Sequence, residues 1–410
     1  MTMIPKEFEE YTRRIFGEDR FAKFMDAFQQ EAPVSIRVNP KKCKDNGEQG
    51  LQPIPWCETG YYLPQRPDFT FDPLLHAGCY YVQEASSMFI YHVLRQHIHQ
   101  PVTMLDLCAA PGGKSTAALS ALPEGSMLWA NEPIRTRAQI LNENIQKWGW
   151  ENCIVTNLYP KDYAHAKMRF DVILCDVPCS GEGMFRKDEG AIAEWSPQNV
   201  EKCWRLQRDI VGEAWKCLKD GGLFIYSTCT FNTYENEENI RWMQEELGAE
   251  VIPVETEAQW NITSSLLEGF SEPVYRFIPG ITRGEGLFVC VMRKGSPSQL
   301  HQGREEKGKK REVSGMEKAD VAEALSTALN PGKYPMAELS YSTAISFLRR
   351  EAIVLPPETP RGMVVVTYEG HPLGFVKNIG NRANNLYPKE WRIKSTHIPD
   401  TPPRIINCKQ

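Results

Sequence analysis

Residues 102–115 read VTMLDLCAAPGGKS. The run Val102 to Leu107 is short and apolar, as a strand buried on both faces must be, and its acid is Asp106. Gly112 and Gly113 follow, with the freedom a tight turn needs. From about Ser115 small residues set up a helix that can pack closely on a sheet. Working outward, the same alternation continues. Strands are predicted at Met127 to Asn131, Asn152 to Thr156, Phe170 to Cys175, Leu223 to Ser227 and Gly286 to Met292. Helices are predicted over Ile134 to Trp148, Gln198 to Leu218 and Glu235 to Leu247. Near-continuous apolar strands alternating with helices predict an α/β fold, an open parallel sheet covered on both faces.

The flanks have a different texture. Residues 4–30 have helical apolar spacing (Phe8, Tyr11, Ile15, then Phe21, Phe24, Met25, Phe28), and a Pro- and Gly-punctuated stretch with short β-like runs such as Val34 to Val38 follows. A helix is expected over Glu84 to His99. Residues 1–100 thus read as a small α+β domain and 101–295 as the α/β core. Residues 296–330 are polar with alternating charge, a linker disordered in part. In 331–410, strands Met363 to Tyr368 and Leu373 to Lys377 flank a Glu369-Gly370 turn, marking a small β-rich domain.

The 410 residues are 41% hydrophobic and 24% charged, which excludes fibrous and wholly disordered chains. The net charge of −5 argues against a nucleic-acid binder only as an average. Residues 331–410 hold 11 Lys and Arg against 6 Asp and Glu, so the body is acidic and the C-terminal module basic. Twelve cysteines are too dilute for a disulfide scaffold. With no export signal and no apolar run of membrane-spanning length, reduced thiols and a cytoplasmic location are expected.

Four stretches carry the chemistry. The turn after Asp106 fits neither GxGxxG nor GxxxxGK[ST], which disfavours a dinucleotide or a Walker-type phosphate cradle. A ligand-free βα turn is the plain alternative for that segment alone. Glu132 ends the second strand and can accept both hydroxyls of a ribose, which favours an adenosine-containing ligand. DVPCSGEG (176–183) and YSTCT (226–230) both sit at carboxyl ends of apolar strands, where open α/β sheets bind ligands. Cys179 and Cys229 should therefore face one crevice. A zinc site there is disfavoured by the absence of CxxC spacing and by scattered histidines; His92, His97 and His99 share no i, i+4 face, and no metal is expected. Cys108, Cys153, Cys175, Cys203 and Cys290 read as small buried hydrophobes.

DLCAAPGGKS, FDVILCDVPCSGEGMFRK and GGLFIYSTCTFNTYENE resemble the motifs of RNA cytosine-C5 methyltransferases of the Sun/nucleolar-protein family. VSIRVNPKK and YYVQEASSM resemble its upstream segments, and RANNLYPKEW the PUA-like end of the branch that modifies small-subunit rRNA. The resemblance implies a Rossmann-like, S-adenosylmethionine-dependent core with a PUA-like RNA-binding domain. It also implies roles. Cys229 is the nucleophile toward cytosine carbon 6, Cys179 assists breakdown of the adduct, Asp176 bonds the cytosine edge, and Lys114 lowers the thiol pKa. Cys108, Ala109, Ala110, Pro111, Gly112, Gly113, Lys114, Glu132, Arg137 and Asp176 would line the cofactor. The family places an Asp near the adenine amine. The aligned position here is Tyr159, so Asn157, Asp162 or the backbone stand as candidates and no residue is assigned.

For RNA contact, Lys377, Arg382, Lys389, Arg392 and Lys394 interleave with Tyr387 and Trp391, with Arg37, Arg186 and Lys187 as additions near the target base. A solvated basic face is the plain alternative. The leading expectation is methylation of 16S rRNA or the small ribosomal subunit by a monomer. Behind it stand the same chemistry on tRNA, a non-catalytic ribosome-assembly factor, and, more distantly, a nicotinamide oxidoreductase. Two intact thiols at strand ends argue against a binding-only role.

Overall fold

A computed structural model describes residues 4–43, 50–295, 313–327, 332–395 and 397–408. Of the polar linker, residues 296–312 and 328–330 lie outside the described residues.

The central sheet follows the order Ala249–Val251, Leu287–Lys294, Leu218–Thr228, Phe170–Asp176, Thr103–Asp106, Met127–Asn131, Cys153–Thr156. The last five are parallel to one another, while Leu287–Lys294 runs antiparallel to Leu218–Thr228 and closes that edge, also pairing with Tyr275–Phe277. Because side chains alternate along a strand, each strand supplies both faces. Met104, Leu174 and Ile225 go to one core with Phe89, Val93, Leu141 and Ile145. Leu105, Ile173 and Phe224 go to the other with Val211, Trp215, Ile240 and Met243. Thr103–Asp106 has later strands on both sides, so the strand order reverses there, and a crevice opens at the carboxyl ends of the strands.

The N-terminal helical stretch is two helices, Lys6–Phe16 and Glu18–Ala27, broken at Gly17, whose φ is 75°. Their phenylalanines do not form a separate core. Phe8 packs on Phe185 with ring centroids 4.9 Å apart, and Phe24 on Phe231 at 5.2 Å, so these helices brace the two thiol-bearing loops of the crevice. Next comes a four-stranded antiparallel sheet centred on Val34–Val38, between Cys57–Leu63 and Tyr80–Val82.

At the C-terminal end, Gly362–Tyr368 and His371–Asn378 form a hairpin. Its two turn residues, Glu369 and Gly370, have φ of 49° and 80°, the left-handed pair of a type I′ turn. Val364, Val366 and Phe347 of this module share one core with Ile36, Val38 and Leu74 of the N-terminal sheet. Part of the expected linker is built into the fold: Val321 and Leu325 are buried in that shared core, and the Met316 N–H bonds to the Val155 carbonyl of the central sheet at 2.7 Å.

One expectation needs correcting. Cys43 and Cys408 are paired as a disulfide with Cα atoms 5.1 Å apart, although 365 residues separate them in sequence. The folding of the C-terminal module onto the N-terminal sheet makes them neighbours, and no spacing along the chain could show it. Among the described residues, no helix is long and apolar enough to cross a membrane.

Candidate active site

The Asp106 turn is held by backbone and amide bonds. The Leu107 N–H donates to the Leu174 carbonyl at 2.9 Å, and the Ala109 N–H to the Asn131 carbonyl at 2.8 Å. Asn131 Nδ2 donates to the Leu107 carbonyl at 3.0 Å. Gly112 caps the helix Gly113–Ala121 with φ 117°, a left-handed value that favours glycine. At Gly113 a Cβ would lie 3.4 Å from Tyr81, so the N-terminal sheet backs this turn closely. The first N–H groups of the helix are left facing the crevice without intrahelical partners.

Two buried acids rim this cradle. Asp106 is fully buried; Ser115 Oγ donates to its Oδ2 at 2.6 Å, while its Oδ1 has no hydrogen-bond partner among the described residues. Burial pushes its carboxyl up to about 7, against the Ser115 bond. Glu132 is equally buried, takes the Ile134 N–H at 3.0 Å and lies 3.4 Å from Arg137. Arg137 also donates to the Ala110 carbonyl at 3.2 Å, and Asn144 to that of Pro111 at 2.8 Å. Arg137 thus ties the Gly-rich turn to Glu132. An orphaned carboxylate oxygen and a second buried acid beside free helix N–H groups fit a ligand with ribose hydroxyls, an ammonium and a carboxylate. S-adenosylmethionine has all three.

On the other side of the crevice, Lys114 Nζ lies 2.7 Å from Asp176 Oδ2, and Ser227 Oγ donates to Asp176 Oδ1 at 2.7 Å. Burial alone would lower the Lys114 pKa, but Asp176 outweighs it and the net shift is upward, with Cys229 contributing in the same direction. A firmly charged ammonium therefore sits within electrostatic reach of the Cys229 sulfur. The Sγ atoms of Cys179 and Cys229 are 3.1 Å apart, hydrogen-bonded but not joined as a disulfide, brought together from the ends of adjacent strands. The Cys229 sulfur and burial together hold the Cys179 thiol proton well above the ordinary range.

The loops carrying these thiols are fixed by acids that sequence patterns alone do not single out. Glu235 accepts the Ser180 N–H at 3.0 Å, Gln207 Nε2 at 2.6 Å and Asn232 Nδ2 at 2.8 Å. Burial and the nearby Glu182 push its carboxyl up to about 7, against those donors. Glu182 takes the N–H groups of Phe231 and Asn232 at 2.6 and 3.0 Å, and the Trp195 indole N–H at 3.0 Å. At Gly183 a Cβ would stand 2.6 Å from the Cys229 carbonyl, so only glycine lets the loops close. The available signal lies in FNTYENE and in Gln207: polar residues next to an apolar strand or inside an apolar helix face.

Several expected contacts are placed elsewhere. Arg37 is fully buried; its Nε donates to Gln83 Oε1 at 2.8 Å and its guanidinium lies 4.6 Å over Trp148. Arg186 forms a buried ion pair with Glu285. Both serve packing, since a desolvated guanidinium must have its partners inside the protein; Lys187 is exposed. Tyr387 is core against Phe347, at 5.3 Å, and offers no face for a base. Lys377, Arg382, Lys389, Arg392 and Lys394 are all exposed, with Trp391 half-buried. Of the adenine candidates, Asn157 spends its Nδ2 on the Glu132 and Pro133 carbonyls, and Asp162 accepts the Tyr159 N–H at 3.0 Å as a helix cap.

A switch-point crevice with a Gly-rich turn, a second buried acid and no dinucleotide spacing fits an S-adenosylmethionine-dependent methyltransferase. Residues 92–293 match the family described as 16S rRNA methyltransferase RsmB/F. Residues 4–85 match the N-terminal domain of 16S rRNA methyltransferase RsmF, and 335–393 the methyltransferase RsmF PUA domain. The chain belongs to the RsmF-like group of this family. It is 31% identical to ribosomal RNA small subunit methyltransferase F of Vibrio atlanticus, over 88% of this chain and 78% of that protein. The protein of the same name from Photobacterium profundum is 28% identical over 97% of this chain and 99% of its own length. Among solved structures, a methyltransferase homolog protein from Pyrococcus horikoshii superposes with a TM-score of 0.60 at 25% identity, covering 71% of this chain and 95% of that one. S-adenosylmethionine is the cofactor, and RNA the substrate class.

Proposed function

We propose that the protein methylates carbon 5 of cytosine in 16S rRNA through a covalent adduct with Cys229. The observation that carries this reading is the pair of free thiols, Cys179 and Cys229, 3.1 Å apart beside the Lys114–Asp176 ion pair. Carbon 5 of cytosine is a poor nucleophile, and methylating it does not call for a second thiol unless a covalent intermediate must also be broken down.

In this reading Lys114 stabilises the Cys229 thiolate, whose sulfur forms a bond to carbon 6 and places enamine density on carbon 5. Asp176, held by Lys114 and Ser227, keeps acceptor capacity for the polar edge of the base. S-adenosylmethionine, held by residues 108–114 and Glu132, supplies an electrophilic sulfonium methyl when bound. Loss of the carbon 5 proton then breaks the sulfur–carbon 6 bond and returns the thiolate. Cys179, relieved of the Cys229 sulfur that holds its proton once that sulfur is bonded to carbon 6, gives up its own proton and as thiolate is the base that accepts the carbon 5 proton. The target base must leave its stack to reach a thiol in a crevice, which favours an accessible loop or junction. The names of the relatives and the PUA-type module with its exposed cations support rRNA as the RNA.

Incubation with methyl-labelled S-adenosylmethionine and rRNA should place label in 5-methylcytosine of 16S rRNA, and Cys229→Ala should abolish it while cofactor affinity stays unchanged. Label confined to another base, or turnover surviving in the variant, overturns the reading.

A further inference from the structure

Away from the crevice, four donors of a different kind converge. Cys43 follows the strand Val34–Val38, Cys79 precedes Tyr80–Val82, His371 opens the strand His371–Asn378, and Cys408 lies near the C-terminus. Their ligating atoms all lie within 4.8 Å of one another, and none of the four residues is more than 2% exposed. We propose that these four side chains form a structural zinc site that fastens the C-terminal module to the N-terminal sheet.

A disulfide between Cys43 and Cys408 accounts for two of the four groups and leaves the Cys79 thiol and the His371 imidazole buried beside it. A zinc ion uses all four. Three cysteines and one histidine are a common donor set for structural zinc, and bonds of about 2.0–2.3 Å put tetrahedral ligand atoms roughly 3.5–3.8 Å apart, inside the observed spread. The histidine is already oriented: its Nε2 lies 2.7 Å from the Cys408 carbonyl. If Nε2 donates that bond, Nδ1 keeps its lone pair, and a ring N–H bonded to a backbone carbonyl is the usual support for a metal-bound imidazole. Three thiolates and Zn²⁺ sum to one negative charge. The ammonium of Lys42, held by the Ala77 and Lys147 carbonyls, lies within electrostatic reach of Cys79 and His371 to balance it.

The Cys43–Cys408 disulfide must first take up two electrons and two protons from a thiol reductant, under the same reducing conditions that keep Cys179 and Cys229 as separate thiols. Binding then exchanges three thiol protons for one Zn²⁺ with no change in oxidation state. Two ligands come from each end of the chain, so the ion would take over from the disulfide the task of linking the two modules.

The test uses the full chain in a Cys179→Ser/Cys229→Ser background, which removes the competing thiol pair, purified under reducing conditions without chelator. Elemental analysis should find about one zinc per chain, falling to background in Cys79→Ser and in His371→Gln. Cobalt exchanged into the background protein should give the intense visible bands of a tetrahedral, thiolate-rich site, a reading that needs no ligand variant to fold. Zinc that stays bound in both variants, a cobalt spectrum without those bands, or a metal-free protein whose peptide map shows Cys43 joined to Cys408 would each overturn the proposal.

Discussion

Glu235→Gln separates a role in positioning from one in holding the fold. All three partners of the carboxylate are donors: the Ser180 N–H, Gln207 Nε2 and Asn232 Nδ2. A glutamine turns one acceptor oxygen into an NH₂, so at least one donor faces a donor, at a cost of about 1–3 kcal/mol. The carboxyl itself carries an opposing term. Its pKa rises from 4.5 to about 7 on folding, mainly through burial. The native state therefore keeps a proton that the unfolded chain has released. The stability this provides is full below about 4.5 and is lost as pH rises through about 7, a change of roughly 3 kcal/mol. Glutamine does not titrate. Urea denaturation should thus find Glu235→Gln about 1–3 kcal/mol less stable than the parent at pH 5. By pH 8 the gap should have closed or reversed. Turnover at pH 8 should still fall, because Ser180 carries the chain into Cys179, while S-adenosylmethionine affinity stays unchanged. A stability gap that is constant or widens from pH 5 to 8 would refute the argument. So would full turnover at pH 8, which would show that this network does not place the thiol.

Three further outcomes can be checked independently. Cys179→Ala should accumulate a denaturant-stable protein–RNA adduct on gel electrophoresis, since addition by Cys229 proceeds and breakdown fails; normal turnover without adduct would reverse the division of labour between the thiols. Glu132→Ala should weaken S-adenosylmethionine binding about 10- to 100-fold by calorimetry, the loss of one charge-assisted hydrogen bond of about 1.5–3 kcal/mol, and an unchanged Kd would remove Glu132 from the cofactor site. Changing the exposed Lys377, Arg382, Lys389, Arg392 and Lys394 to glutamate should flatten the salt dependence of RNA affinity by about 0.7–0.9 in log–log slope for each phosphate no longer neutralised. An unaltered slope would make that face merely solvated.

What could be read from the sequence follows from how local each feature is. The parallel strands were legible because burial on both faces forces continuous apolar runs, and Asp106, Cys179 and Cys229 were legible because ligand crevices lie at strand carboxyl ends. Residues whose role depends on contacts distant in sequence were not. Arg37 and Tyr387 have the composition of an RNA-binding surface, yet one is desolvated against Gln83 and Trp148 and the other packs on Phe347. Glu235 and Gln207 show only as polar letters until the fold sets them 2.6 Å apart.

The same reasoning explains why the flanking modules belong to the catalytic problem. A thiol pair at strand ends is held only by loops, and loops without an apolar anchor are mobile. Here Phe231, two residues beyond Cys229, is wedged against Phe16 and Phe24 of the N-terminal helices, with ring centroids 5.9 and 5.2 Å away. Phe185, just past the Cys179 loop, packs on Phe8. At the other end of the crevice, Tyr81 of the N-terminal sheet backs the Gly-rich turn, and that sheet shares its core with the C-terminal module. The N-terminal region therefore touches both halves of the crevice, the cofactor turn and the thiol loops, and it also carries the basic module. Through that sheet, packed side chains run from the C-terminal module to the Gly-rich turn. Loosening the shared core should therefore disturb cofactor binding before it disturbs the distance between the two sulfurs.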